Sequence, residues 1–212
     1  MAILSVRSIA IYLLLACPEI NNHQVRAKGA NEAGDTAEMY AVYSAILAHP
    51  PVSHGEPVLQ YAIAETTMPV KDRTPTTACT EVPRINADSL AEVQSDFAQH
   101  NSFPMRLKRA FSLPKPYVLL SAQQAIEFER QQAAPIIQTD PPGPAPVSPA
   151  EGAIDLFQLS HVFFDRPHKF AMVYVSAWCG TTCSLWGWHV LEKTASGRWQ
   201  EITQAKCSAF IS

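Results

Sequence analysis

Five cysteines carry the chemistry that is easiest to assign from this sequence. They are Cys17, Cys79, Cys179, Cys183 and Cys207. Cys17 follows a short apolar run near the N-terminus, and the other four make an even set, which is typical of a disulfide framework in an oxidising compartment. Cys179 and Cys183 flank one short turn between two predicted strands, so we expect them to form a disulfide. Cys79 and Cys207 would then form a second one.

The same cysteines fit other chemistry poorly. Their C-x-x-x-C spacing is one residue longer than the C-x-x-C of thiol redox enzymes, and neither cysteine lies at a predicted helix N-terminus that would lower its pKa. A zinc site would recruit Cys179, Cys183 and His189, but it lacks a good fourth ligand. We therefore expect no metal and no cofactor.

Ser160, His161 and Asp165 supply the residue types of a hydrolytic triad. Neighbouring residues on a strand point to opposite faces, so Ser160 and His161 cannot face each other. The chain also has no G-x-S-x-G turn. We expect Ser160 to be a structural hydroxyl. His161 is expected to be a half-buried histidine that shares its face with three apolar residues, Phe157, Leu159 and Phe163.

The tryptophans are concentrated in the C-terminal half of the chain. They are Trp178, Trp186, Trp188 and Trp199. Trp186 and Trp188 share one face of a predicted strand. One interpretation is core packing, which is common for aromatic residues. The other is that the two rings remain exposed as a platform for a ligand or a partner.

Residues 1–16 have the features of a bacterial signal peptide, with Arg7 followed by an apolar run. The run is shorter than the roughly 20 apolar residues that a membrane-spanning helix needs. It ends in Leu14-Leu15-Ala16-Cys17, which resembles a lipobox. We expect cleavage before Cys17 and a palmitate-containing lipid on Cys17 that anchors the protein in the membrane. The alternative is a secretory peptide cleaved near Val25-Arg26-Ala27, which would leave a soluble periplasmic or secreted protein.

Residues 17–34 are polar and lack periodicity, which predicts a flexible tether. Cap residues and apolar spacing predict three helices. The first begins at Asp35-Thr36, and the second begins at Asn86 or Asp88. The third begins at the capping box Ser121-x-x-Gln124. We expect these helices at about 35–47, 86–100 and 121–132. Short strands are predicted around 58–66 and 117–120.

The second half predicts a β-meander. Its strands are expected at 156–164, 169–178, 185–192 and 198–203, and their short links imply antiparallel pairing. The pattern is that of an α+β fold, with N-terminal helices packed on a C-terminal antiparallel sheet in one domain, 35–212. The first two helices should cover the bulky face of the second strand, which holds Phe170, Met172, Tyr174 and Trp178. Residues 134–149, with six prolines, should form a surface loop.

Composition excludes one class of partner. The chain has 212 residues and a net charge of −3, and its lysines and arginines form no dense stripe. Binding to nucleic acid relies on clustered cations that neutralise phosphates. We therefore expect no nucleic-acid partner.

The second half contains a series of short motifs: Leu159-Ser160-x-Val162-x-Phe164, Ala171-x-Val173-Tyr174-Val175, Cys179-Gly180-x-x-Cys183, Leu191-Glu192-Lys193 with Gly197-x-Trp199, and Ile211-Ser212. In these motifs the chain resembles an uncharacterised family of bacterial exported proteins and lipoproteins. The first half adds Val42-Tyr43-Ser44 and Asp96-Phe97, and the resemblance covers about a third of the chain. It implies export and this architecture, and it brings no activity.

These observations together predict an exported, non-catalytic protein of the bacterial cell envelope that faces the periplasm. It would bind an envelope protein or a small ligand through Trp186 and Trp188. The alternative is a small envelope hydrolase whose site is assembled from distant residues, namely Asp96, Asp155, His161 and His189. Convergence of those four side chains would favour the enzyme, and their separation would favour binding.

Overall fold

The computed structural model describes residues 22–50, 58–70, 85–133, 148–180, 183–202 and 208–211, with side chains from residue 35 onward and the backbone alone for 208–211. The predicted signal peptide, Cys17, the Cys79–Cys207 pairing and most of the proline-rich loop lie outside these residues. The chain divides into two compact units, 1–35 and 36–212. All side-chain contacts given below lie within the second unit.

The described residues form helices and one mixed sheet. The helices are α1 (Asn22–Leu47), α2 (Ala87–His100) and α3 (Ala122–Ala133). The strands are β1 (Tyr61–Ala64), β2 (Tyr117–Leu120), β3 (Leu156–Phe164), β4 (Phe170–Trp178), β5 (Ser184–Lys193), β6 (Trp199–Glu201) and β7 (Ser208–Ile211). The predicted α+β fold is confirmed.

The sheet has the strand order β2-β1-β3-β4-β5-β6, and β7 also pairs with β5. Strands β3 to β6 are antiparallel neighbours, as the short links predict. Strands β1 and β2 come from the first half of the chain and extend the sheet in parallel on the other side of β3. The helical half and the β half therefore share a single sheet.

Helix α1 begins at Asn22, so the predicted start at Asp35 is wrong. Residues 22–34 have a helical backbone instead of the irregular one expected from their polarity. This stretch contains no proline, so each residue can donate its backbone N–H to the helix, and six alanine, glutamate, glutamine and lysine residues offset Gly29 and Gly34. Nothing at Asp35 therefore interrupts the hydrogen-bond ladder.

The two faces of the sheet carry different helices. The small residues of β4 pack with α1 in one cluster: Ala171, Val173, Val175 and Ala177. Met172 and Tyr174 on the opposite face pack beneath α2, and Trp178 packs beneath α3. The expectation that α1 covers the bulky face is therefore wrong, although it is right for α2. The bulky side chains of α1, such as the fully buried Tyr43, fit against alanine and valine, which leave room for them.

A β-bulge in β3 determines where its polar residues point. The register between β3 and β4 shifts between Leu159 and Val162, so that Ser160 and His161 lie opposite Tyr174. The shift interrupts the alternation of faces. Phe157 and Leu159 pack on the α1 side, whereas Phe163 packs on the α2 side. The prediction that His161 shares its face with these residues therefore holds for Phe163, whose ring centroid is 5.7 Å from that of His161, and is wrong for Phe157 and Leu159.

The hydroxyl of Ser160 replaces the ladder bond that the bulge removes. Ser160 is fully buried. Its Oγ accepts from the backbone N–H of Tyr174 at 2.8 Å and donates to the carbonyl of His161 at 2.7 Å. The Tyr43 hydroxyl donates to the Ser160 carbonyl at 2.6 Å, which joins α1 to the bulge. Ser160 is thus the structural hydroxyl that the sequence predicts.

Replacing Ser160 with alanine is expected to lower the free energy of unfolding by about 1–3 kcal/mol, because a buried N–H of Tyr174 loses its acceptor. Urea titration of the purified protein measures the change. Ser176→Ala, on the half-buried neighbouring position of β4, is the matched control and should change the free energy by less than about 0.5 kcal/mol. Equal effects of the two substitutions would contradict this role for Ser160.

Candidate functional site

A disulfide closes the tip of the β4–β5 hairpin. Cys179 and Cys183 form the bridge that the sequence predicts, with Cα atoms 5.0 Å apart, inside the usual range for disulfides. The backbone N–H of Cys179 donates to the carbonyl of Cys183 at 3.0 Å, and that of Cys183 donates to Gly180 at 3.2 Å. Gly180 has a φ of +129°, which side-chain-bearing residues rarely adopt. The turn is therefore held by both its covalent bond and its backbone.

Two tryptophans lie on one face of this hairpin beside the disulfide. Trp178 pairs with Ser184, and Trp186 pairs with Ser176, so the two indoles are diagonal neighbours within reach of each other. Both are half-buried. Trp178 meets the Phe128 ring edge-on, with centroids 6.3 Å apart. We call Trp178, Trp186, Ser176 and the Cys179–Cys183 disulfide the hairpin-tip surface.

Trp188 does not belong to this surface, because only 5% of it is exposed. Its ring packs in the α2-side core against Phe97, Tyr174 and Phe163, with centroids 5.7, 5.4 and 6.0 Å away. The predicted platform of Trp186 and Trp188 therefore lacks one of its two exposed rings. Trp186 stacks on Tyr174 at 6.3 Å and keeps part of its surface accessible. The accessible pair is Trp186 with Trp178.

A cluster of polar side chains, formed by Asp96, His100 and His161, lies at the C-terminal turn of α2. The Nδ1 atom of His100 is 2.7 Å from Asp96 Oδ1, and the other carboxylate oxygen of Asp96 accepts the Phe164 N–H at 2.8 Å. The His100 and His161 rings are 5.4 Å apart and tilted by 32°. Burial lowers the pKa of His161, and neighbouring His100 lowers it further, while Asp96 raises it. Asp96 thus orients one imidazole that faces another.

The four residues of the hydrolase hypothesis do not converge. Asp96 contacts His100, and the His100 ring lies beside that of His161. His189 is on the α1 side of β5, 2.7 Å from Glu201, because the neighbouring positions Trp188 and Val190 face α2. Asp155 is buried just before β3 begins, so five residues of strand, 156–160, separate it from His161. By the criterion set from the sequence, this separation favours binding.

The sequence interpretation missed His100. An aspartate and a histidine four residues apart on a helix lie on the same face, so the Asp96–His100 spacing was the available signal. Among the described residues, no three His, Cys, Asp or Glu side chains are arranged to hold a metal ion. None of the described helices has the length and apolar character that crossing a membrane requires.

Comparison with known proteins identifies no relative. No protein-family model, no curated protein and no solved structure matches the chain.

Proposed function

We propose that this protein is an exported protein of the bacterial cell envelope that binds a partner protein or a small ligand through the hairpin-tip surface and catalyses no reaction. The observation that carries the proposal is the Cys179–Cys183 disulfide at that tip. Disulfides persist in oxidising compartments and are rare in the cytosol. The motifs that resemble exported bacterial proteins include this same CGxxC turn and the strands beside it.

Anchoring through Cys17 is the second part of the proposal. The apolar run before Cys17 and the Leu14-Leu15-Ala16-Cys17 sequence support cleavage and lipidation at that cysteine. A lipid there would hold the folded unit at the periplasmic face of a membrane. A soluble periplasmic protein, cleaved near Ala27, is the alternative.

Binding at the tip is supported by the chemistry of its surface. Two half-buried indoles supply rigid apolar area with few rotatable bonds, and such rings are enriched at binding surfaces. The disulfide and the long β4–β5 pairing fix their positions before a ligand arrives. A surface that is already ordered loses less conformational entropy on binding.

The test is capture of envelope proteins by the purified chain, cross-linked and identified by mass spectrometry. We expect Trp186→Ala to remove the captured species, because it deletes one of the two half-buried indoles of the tip. Phe103→Ala is the matched control, since Phe103 is an aromatic residue that is 72% exposed and lies after α2. Loss of the same species in both variants, or in neither, would contradict binding at the tip.

The hydrolase alternative makes a different prediction for the same preparations. It requires turnover of ester or glycoside substrates that is lost in His100→Gln, because His100 is the imidazole oriented by Asp96. The binding proposal predicts no turnover and unchanged capture in His100→Gln. The two hypotheses are therefore separated by one variant and two assays.

Removing the disulfide is expected to lower the free energy of unfolding by about 2 kcal/mol, because the bridge closes only a short loop. The variant is Cys179→Ser with Cys183→Ser, compared with the oxidised protein by urea titration. The comparison uses unreduced protein, because reduction of the wild-type protein would also open the predicted Cys79–Cys207 bridge, which the double variant keeps. A loss well above about 4 kcal/mol would contradict this prediction, because it would show that the disulfide stabilises the hydrophobic core and not only the hairpin tip.

A further inference from the structure

The C-terminal turn of α2 is fastened to β3 by one carboxylate. Asp96 Oδ2 accepts the backbone N–H of Phe164 at 2.8 Å, while its Oδ1 binds His100 at 2.7 Å. One residue further along α2, the Phe97 ring meets Phe163 and Trp188, with centroids 5.0 and 5.7 Å away. We call this contact of Asp96, Phe97 and His100 with β3 the α2–β3 joint.

The β-bulge places a second imidazole in the joint. His161 lies beside His100 with ring centroids 5.4 Å apart and 5.7 Å from the Phe163 ring. Among the described residues, the titratable groups that face it are His100 and Asp96 from α2 and Tyr174 from β4, opposite the bulge. On the other edge of β3, the segment 66–70, bound through the Met68 N–H to Leu159, contains no ionisable side chain. Within the part of the chain that the structure describes, Asp96 is therefore the carboxylate that both histidines share.

We propose that the α2–β3 joint is an acid-sensitive latch, closed while His161 is neutral and opened when His161 takes up a proton. That proton places a positive charge on His161 in a partly buried site beside His100, whose own charge opposes it. Like charges at this separation repel each other, and burial strengthens the repulsion. When the latch opens, both imidazole rings become exposed to water. The hydrogen bond from the Phe164 N–H to Asp96 and the contact of Phe97 with Phe163 are then lost.

The direction of the pH effect follows from His161. Burial and His100 lower its pKa below the ordinary value of 6.5, so the open state binds the proton more tightly than the closed one. The latch is at full strength above about pH 6.5 and weakens as the pH falls through the lowered pKa. Each unit by which the pKa is lowered changes the closed-to-open ratio about tenfold.

The amide of Phe164 reports the latch directly, because its N–H is bonded to Asp96. Hydrogen exchange of this amide is measured by NMR on the full chain and corrected for intrinsic exchange. Between pH 7.5 and 5, we expect its protection factor to fall about tenfold for each unit by which the pKa of His161 is lowered. In His161→Gln the protection factor should stay constant over this range. His49→Gln, the same substitution at an exposed histidine after α1, should behave as the wild-type protein does.

A second variant keeps the test decisive if His161→Gln does not fold. His100 is half-exposed, so His100→Gln should fold, and it should show a smaller fall in protection than the wild-type protein, because one of the two charges is gone. Constant protection at Phe164 in the wild-type protein would overturn the latch. An undiminished fall in either His161→Gln or His100→Gln would overturn it as well.

Discussion

Replacing Trp188 with alanine is expected to lower the free energy of unfolding by about 3–5 kcal/mol, the usual cost of deleting a large buried ring. Trp188 is 5% exposed and meets Phe97, Phe163 and Tyr174. Its removal leaves a cavity between α2 and the sheet that these aromatic rings cannot fill without leaving their own positions. This loss is a large fraction of the free energy of unfolding of a typical domain, which is about 5–15 kcal/mol.

Trp186→Ala is the matched control for this prediction. Trp186 lies two residues earlier on the same face of β5 and is half-buried, so we expect its removal to cost about 1–2 kcal/mol. Urea titration followed by circular dichroism measures both variants without relying on tryptophan fluorescence. Equal losses, or a larger loss for Trp186→Ala, would show that the two rings have been assigned to the wrong environments. The unequal losses would also justify testing binding with Trp186→Ala alone.

Replacing Cys17 with serine is expected to move the protein from the membrane fraction to the soluble fraction. Serine cannot carry the thioether-linked lipid, and on our proposal no other anchor holds the protein to the membrane. Fractionation and immunoblotting of cells that express the full chain measure the distribution. The double variant Cys179→Ser with Cys183→Ser is the control and should stay with the membrane, because its lipid site is intact. Retention of Cys17→Ser in the membrane would contradict lipid anchoring.

The meander was predictable because each of its features is local. Alternating apolar residues define β3, β4 and β5, and the short links force antiparallel pairing. The caps were also local. Asn86 accepts the Ser89 N–H at 2.8 Å. Ser121 and Gln124 form the reciprocal capping box, at 3.0 and 3.3 Å.

Long-range pairing and helix placement were not predictable in this way. Nothing in the residues of β1 and β2 indicates that they join the sheet in parallel beside β3. The apolar stripe of α1 predicts that the helix packs against a sheet, but it does not indicate which face the helix covers. The small residues of β4 determine that face, because they leave room for the bulky side chains of α1. The bulge at Ser160 and His161 has no strong sequence signal, yet it changes the face of every later residue in β3.

The candidate site was predictable in part for the same reason. Cys179 and Cys183 flank a local turn, and their disulfide follows from spacing. Whether a tryptophan on β5 is buried depends on where α2 and α3 lie, so strand alternation grouped Trp186 with Trp188 correctly but could not show that α2 covers Trp188. The pairing of His100 with His161 depends on both the bulge and the helix position.

We propose that the protein is exported to the envelope as a disulfide-containing lipoprotein. Mass spectrometry of the unreduced protein, purified from membranes of cells that express the full chain, tests it most directly. We predict an N-terminus at Cys17 that carries the lipid mass, and a peptide in which Cys179 is linked to Cys183. An unmodified N-terminus at Lys28 would retain export but reject the anchor. A chain that begins at Met1, with free thiols at Cys179 and Cys183, would contradict the claim.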